Sequence, residues 1–317
     1  MTSRVALDLL GGDAAPDAVL DGALLLADEC PDVSVVLVGP EEVVAEGLSA
    51  RGVAPGTFEV IPATQSVAMD EEPARAVRAK RDATVRVAAK LVRDGRADAT
   101  VSVGNSGAAL AAALFTLGRL PGVTRPAIAV VVPTPNGPVV LVDAGANPDA
   151  GPDLLAQFAL TGAAYATTLG IDAPRVGLLT IGAEPYKGDE LRKAAYDVLA
   201  ALPVDFAGNV EGHDVVLGGR ADVVVTDGFT GNVLLKGVEA ALALGGAATI
   251  DPDDHSGALL LGVDGIAVLG HGGSSPRAVA SCVRLAADAV RGGLLPRLTE
   301  TLTALVARRR EAAGLAT

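Results

Sequence analysis

A chain of 317 residues is long enough for one large or two modest domains with a sizeable core. Half of it is hydrophobic and only 3% is aromatic, with Ala, Val, Leu and Gly dominant, the composition of a parallel sheet wrapped in helices. The net charge of −13 argues against broad nucleic-acid binding, and the two cysteines, Cys30 and Cys282, form no CxxC or metal-ligand pattern and read as ordinary reduced thiols.

Residues 4–9 (RVALDL) predict a first strand that ends in LGGD (10–13). The apolar run at 5–10 is too short for a signal peptide, and no run reaches membrane-spanning length without charge or glycine, so the expected location is cytoplasmic. Pro16 opens a helix to 29, followed by a strand at 33–38, a helix at 41–49 and a short strand at 57–62. One long helix, rich in positive charge, is expected over 71–93. A strand at 97–103 runs into GNSG (104–107) and an Ala-rich helix to 117. Strands at 127–132 and 138–142 are joined through PTPNG, a hairpin composition that makes part of the sheet antiparallel, and DAGAN (143–147) closes the second.

A helix at 152–169 and a strand at 175–181 lead to GAEPYKG (182–188); a helix at 189–202 and a short strand at 204–207 lead to GNVEG (208–212). ADVVVTDGFTGN (221–232) reads as a buried strand at 222–226, broken by Asp227 and Gly228, with the next helix beginning at 230–232 and carried by 233–244. An acidic loop at 251–256, a strand at 265–269 ending in HGGSS (271–275), and helices at 276–292 and 296–312 finish the chain. Strands alternate with helices almost throughout, the α/β signature of a mostly parallel sheet. No linker or solenoid repeat is visible, so the reading is a single α/β domain over 1–317, of one or two lobes.

Chemistry concentrates in the loops that follow strands. Glycine lets backbone approach a ligand, while Asn, Ser and Thr add short donors and helix N-termini attract anions. Each loop alone is equally the tight turn that any α/β sheet needs; together they point to a phosphate or acyl-phosphate site. Its candidates are Gly12, Asp13, Asn105, Ser106, Gly107, Asn147, Gly188, Asp227, Thr230, Gly231, His271 and Ser274. Lys187, in a glycine-flanked turn before a helix, can hold phosphate or steady an oxyanion, or be a solvated lysine. Asn232 can donate its amide to a carbonyl or phosphate oxygen, or cap the helix. Arg75, Arg78, Lys80, Arg81 and Arg86 make a basic surface on an acidic protein, either a docking site for an anionic partner or a solvated face. No Walker A, HExxH or GxGxxG motif is present, and GNSGA departs from a GxSxG elbow at Ala108, so no metal or other cofactor is expected.

In this order, ALDLLGGD (6–13), ADATVSVGNSGA (97–108), VLVDAGAN (140–147), GLLTIGAEPYKG (177–188), GNVEG (208–212), DVVVTDGFTGNVLLK (222–236) and HGGSS (271–275) resemble the PlsX-type phosphate acyltransferases of bacterial phospholipid synthesis, over nearly the whole chain. The resemblance implies a Rossmann-like three-layer fold akin to phosphotransacetylases and isopropylmalate-type dehydrogenases. It implies transfer of a fatty acyl group from acyl carrier protein to inorganic phosphate, with Lys187 and Asn232 catalytic and the basic helix docking the carrier. It also implies a homodimer whose product feeds a membrane glycerol-3-phosphate acyltransferase. Alternatives are a short-chain phosphotransacylase using acyl-CoA, and a divergent, weakly catalytic paralogue that binds a ligand or partner. The chain departs from the family at Ser106, at Ala183 and at the extra glycine of HGGSS. Its 245–257 stretch is shorter by several helical turns than the family's amphipathic hairpin and is acidic, so the resemblance extends neither to the family's membrane contact nor to its acyl-chain preference.

Overall fold

The computed structural model describes residues 2–244 and 252–312. The chain opens with β1 (Ser3–Asp8), α1 (Asp17–Glu29), β2 (Val33–Gly39), α2 (Glu41–Ala50), β3 (Glu59–Pro62), α3 (Pro73–Ala79), α4 (Thr84–Arg93), β4 (Ala99–Ser102) and α5 (Ser106–Thr116). The hairpin of β5 (Ala127–Val132) and β6 (Val139–Val142) follows. Next come α6 (Pro152–Thr168), β7 (Arg175–Leu179), α7 (Glu190–Ala200), β8 (Asp205–Val210), α8 (Gly212–Leu217), β9 (Val223–Val225) and α9 (Gly228–Leu244). A short 3-10 turn at Pro252–His255 leads to β10 (Ala258–Leu261), β11 (Ile266–Leu269), α10 (Pro276–Arg291) and α11 (Leu294–Ala312). These elements form two compact units, Met1–Gly118 with Asp251–Arg291, and Arg119–Ile250 with Gly292–Thr317.

In the first unit the strand order is β3-β2-β1-β4-β11-β10, parallel except where β10 runs against β11. Val5, Ala6 and Leu7 of β1 are fully buried. A strand covered on both faces has no polar face to show, hence the unbroken apolar run. Ala6, Val36 and Val38 pack on Ala88 and Leu91 of α4. α1 meets α10 at Gly22, where a β-carbon would stand 2.6 Å from the Val279 β-carbon.

The second unit orders its strands β5-β6-β9-β7-β8, parallel beyond the hairpin. The three valines of β9 are fully buried between β6 and β7, as their β-branched run predicts. Val139, Leu141, Leu179, Val210 and Val224 share a core with Val238 of α9. Asp222 accepts the Arg175 N–H at 2.8 Å and two guanidinium bonds at 3.1 and 3.0 Å, which locks β7 against β9. Parallel pairing brings the C-terminal ends of β6, β9, β7 and β8 to one end of this unit.

Three expectations need correction. The long helix at 71–93 is two helices, because residues 80–83 break away to pair with 64–66: Gln65 N–H donates to the Asp82 carbonyl, Thr84 N–H donates to the Gln65 carbonyl, and the Asp82 carboxylate takes the Thr64 N–H and hydroxyl at 2.7 Å. α9 starts at Gly228 rather than at 230–232, because Asp227 caps it by accepting the Thr230 N–H at 2.9 Å. α8 and β10 are further elements that the sequence pattern does not announce; both are short. The 245–257 stretch lies outside the described residues over 245–251. Among the described residues, no helix is long and apolar enough to cross a membrane.

Candidate active site

The loop after β6 is organised by one buried carboxylate. Asp143 accepts the N–H groups of Ile128, Gly145 and Ala146 on one oxygen, and the N–H and side-chain amide of Asn147 on the other. Asn147 gives its other amide bond to the Pro126 carbonyl at 2.8 Å. Both amide hydrogens of Asn147 are therefore engaged, and the side chain expected to bind phosphate is a latch for the DAGAN turn.

α9 packs directly on that turn. A β-carbon at Gly231 would lie 1.9 Å from the Asp143 carbonyl oxygen, and one at Gly228 would lie 2.8 Å from both the Asn147 nitrogen and the Asp143 carboxylate. These glycines permit close approach of two backbones. The N–H groups of Gly228, Thr230 and Gly231 are also taken, by Asn147 O, Asp227 Oδ1 and Asp227 O. The helix start therefore does not offer the row of free donors expected at 230–232, which removes Gly231 N–H as a phosphate donor.

Arg192, in the first turn of α7, ties the neighbouring loops together. It is 8% exposed and donates to Asp189, to the Leu179 carbonyl, to the hydroxyls of Thr226 and Thr230, and to the Asp227 carboxylate. Thr230 also donates its hydroxyl to Asp227 at 2.8 Å. Burial opposes the charge on Asp227, but the Thr230 bonds and the Arg192 guanidinium prevail and hold its carboxyl below the usual carboxylate range. Asp227 and Thr230, expected to bind phosphate, thus face Arg192. Sequence reasoning missed this arginine; the Asp189-x-x-Arg192 pattern at a helix start is the only local sign of it.

Lys187 and Asn232 are placed differently. Lys187 lies between Gly182 and Gly188, and Gly188 turns through φ +106, a conformation that suits only glycine. Its N–H closes the turn onto the Glu184 carbonyl at 3.0 Å. The ammonium lies 5.9 Å over the Tyr186 ring and has no hydrogen-bond or ion-pair partner among the described residues. Asn232 is exposed on the first turns of α9 and donates one amide hydrogen to the Ala144 carbonyl at 3.2 Å, leaving the second for a ligand. It is not the helix cap. Thr180 Oγ1 and Asn209 Oδ1, buried at the same sheet end, have no partner among the described residues.

The first unit has its own loop cluster. Asp8 is 2% exposed and accepts the Ser102 hydroxyl at 2.7 Å; burial raises its carboxyl above 3.8 against the pull of Ser102, Thr84 and the turn N–H groups. A small pocket opens beside it, lined by Ser66, Thr84, Ser102 and Asn105. Asn105 caps α5 by accepting the Ala108 N–H at 3.0 Å and donates to the carbonyls of Ala68 and Met69, so its amide is engaged. Ser106 is exposed, and Gly107 lies against Pro73. Gly12 turns at φ +106 and Asp13, exposed, donates its N–H to the Gly272 carbonyl at 2.8 Å, joining LGGD to HGGSS. Ser274 donates its hydroxyl to the His271 carbonyl at 2.6 Å, and exposed His271 accepts the Gly273 N–H on Nδ1 at 3.2 Å.

Of the basic residues, Arg75, Arg78 and Arg81 are exposed, and Arg78 stacks 4.5 Å from the Phe115 ring centroid. Lys80 is drawn to Glu71 at 2.5 Å and to the Ser66 carbonyl, and Arg86 donates to the Val77 carbonyl at 2.9 Å. Those two leave the free basic face. Among the described residues, no group of three or more His, Cys, Asp or Glu could hold a metal ion.

A family described as fatty acid synthesis protein matches residues 3–248. A phosphate acyltransferase from Desulfitobacterium hafniense is 42% identical over 94% of this chain and 97% of its own. A phosphotransacetylase from Streptococcus pyogenes superposes with a TM-score of 0.68 at 20% identity, over 92% of this chain and 94% of that one. A 4-hydroxythreonine-4-phosphate dehydrogenase from Klebsiella pneumoniae does so at 0.60 and 15%, over 92% and 98%. At these identities the two solved structures show the fold, a mostly parallel Rossmann-type α/β sheet.

Proposed function

The chain belongs to the phosphate acyltransferase family, and we propose that it transfers a fatty acyl group from acyl-[acyl carrier protein] to inorganic phosphate. The observation that carries this reading is an ammonium without hydrogen-bond or ion-pair partner among the described residues, Lys187, and a half-free amide, Asn232, on the segments that follow β7 and β9 at one end of the second unit's sheet. Phosphate is already anionic and needs no general base. One of its oxygens forms the new bond to the thioester carbonyl carbon. The tetrahedral intermediate collapses, the carbon–sulfur bond breaks with its electron pair going to sulfur, and the carrier thiolate takes a proton from water. Lys187 neutralises phosphate and Asn232 donates its spare N–H to the oxyanion.

Arg75, Arg78 and Arg81 dock the acidic carrier protein. The protein works as a cytoplasmic homodimer, and its acyl phosphate is consumed by a membrane glycerol-3-phosphate acyltransferase. Purified protein incubated with palmitoyl-[acyl carrier protein] and phosphate tests the reading, with palmitoyl-CoA in parallel. Phosphate-dependent acyl phosphate from the carrier thioester is expected. Turnover of the CoA thioester alone would replace this reading with a CoA-dependent phosphotransacylase. Lys187→Ala removes a side chain with no hydrogen-bond or ion-pair partner among the described residues, so the fold stays intact while turnover falls by at least about a hundredfold.

A further inference from the structure

Among the described residues, the four most exposed large apolar side chains are Ile181, Tyr186, Phe229 and Val233, at 81%, 70%, 66% and 59%. All four lie on the two segments that carry Lys187 and Asn232. Ile181 and Tyr186 share the β7–α7 loop with Lys187, whose ammonium lies over the Tyr186 ring. Phe229 and Val233 are one turn apart on α9, on the same exposed face as Asn232. β7 and β9 are paired parallel neighbours, so both segments leave the same end of the sheet. Scattered exposed apolar residues are ordinary, but grouping the four most exposed around two polar groups is not. Local structure does not require them: Gly182, Gly188 and the Asp189 cap shape one loop, and the Asp227 cap and Gly231 place the other.

We infer that Ile181, Tyr186, Phe229 and Val233 form the wall that receives the substrate's acyl chain and sets its length preference. The inference rests on the acyltransferase reading above. A carbonyl held between Lys187 and Asn232 carries a hydrocarbon on one side and the carrier's sulfur on the other. The hydrocarbon leaves water most cheaply onto side chains already apolar and already exposed beside the carbonyl.

The test is kcat/KM over a series of acyl-[acyl carrier protein] thioesters, from short to long chains, for wild type, Ile181→Ser, Phe229→Ser and Ile181→Leu. The sites are exposed, so the serine variants fold, and a melting curve checks it. The ratio of long-chain to short-chain kcat/KM is expected to fall about tenfold in each serine variant, from the loss of a few buried methylenes, and to be retained in Ile181→Leu. An unchanged ratio in both serine variants overturns the inference. So does a loss of dimer by sedimentation with the chain profile intact, which would mean that a second copy covers this wall. Absence of turnover by wild type on every thioester fells the acyltransferase reading and this inference together, whereas wild-type turnover with flat variant profiles fells this one alone.

Discussion

Arg192 joins β7, α7 and α9 through one guanidinium. Arg192→Met leaves the buried Asp227 carboxylate without its cation and is expected to cost about 3–5 kcal/mol in urea unfolding at neutral pH. Adding Asp227→Asn to that variant restores much of the loss, because an amide needs no counter-charge. Acid reads the same pair. Burial opposes the charge on Asp227 but its donors prevail, so its folded pKa lies below the ordinary 3.8. A depressed acid stabilises the fold fully above its unfolded pKa and stops doing so as pH falls through the folded one. The pair's contribution is therefore complete at neutral pH and fades below 3.8, and Asp227→Asn flattens that acid limb in chemical unfolding against pH. Asp8 has the opposite slope: its raised pKa makes it least costly to the fold below 3.8. On the proposed mechanism Asn232→Ala removes the oxyanion donor and is expected to lower kcat by about 10²–10³-fold, with the KM for phosphate near wild type.

At the scale of elements, two of the three glycines of α9, Gly231 and Gly237, have opposite roles. Gly231→Ala drives a β-carbon into the Asp143 carbonyl, so α9 must shift off the DAGAN turn; a loss of about 1–3 kcal/mol is expected by thermal or urea unfolding. A β-carbon at Gly237 would meet nothing within 4 Å, so Gly237→Ala is expected to stabilise by roughly 1 kcal/mol through helix propensity alone. That difference marks how far local pattern carries. The β9 valines and the DGFTGN turn are legible in the sequence because burial on both faces selects β-branched runs and the Asp-Gly pair breaks them. The start of α9 is not, by two to four residues, because Asp227 looks like a ligand residue rather than a cap. The break between α3 and α4 is illegible because its cause, Thr64 with Asp82, lies 18 residues apart in sequence. Arg192 is illegible for the same reason: its partners Thr226, Asp227 and Thr230 lie 34, 35 and 38 residues on. Glycine-rich loops announce where a site lies, while the side chains that hold those loops in shape are drawn from distant strands.

For the whole molecule, the net charge of −13 sets a problem for any acidic partner. Charge spread over the body repels an acidic carrier protein, while Arg75, Arg78 and Arg81 offer it three exposed cations on a short stretch. Salt resolves the two effects, because the Debye length is about 8 Å at physiological ionic strength and shrinks further as salt is added. Local pairs formed on contact dominate docking near that ionic strength, and distant repulsion matters more at lower salt. The triple variant Arg75→Glu, Arg78→Glu, Arg81→Glu is expected to raise the KM for acyl-[acyl carrier protein] about tenfold at about 0.15 M salt, as lost attraction and new repulsion add. Wild type and variant should converge as salt rises, since both differences are screened. Acyl-pantetheine has no carrier body to dock, so a comparable rise in its KM would place the defect in the reacting centre and refute docking on this face. A carrier KM that stays at the wild-type value across the salt series would refute it equally, and would direct attention to the other cations of an otherwise acidic surface.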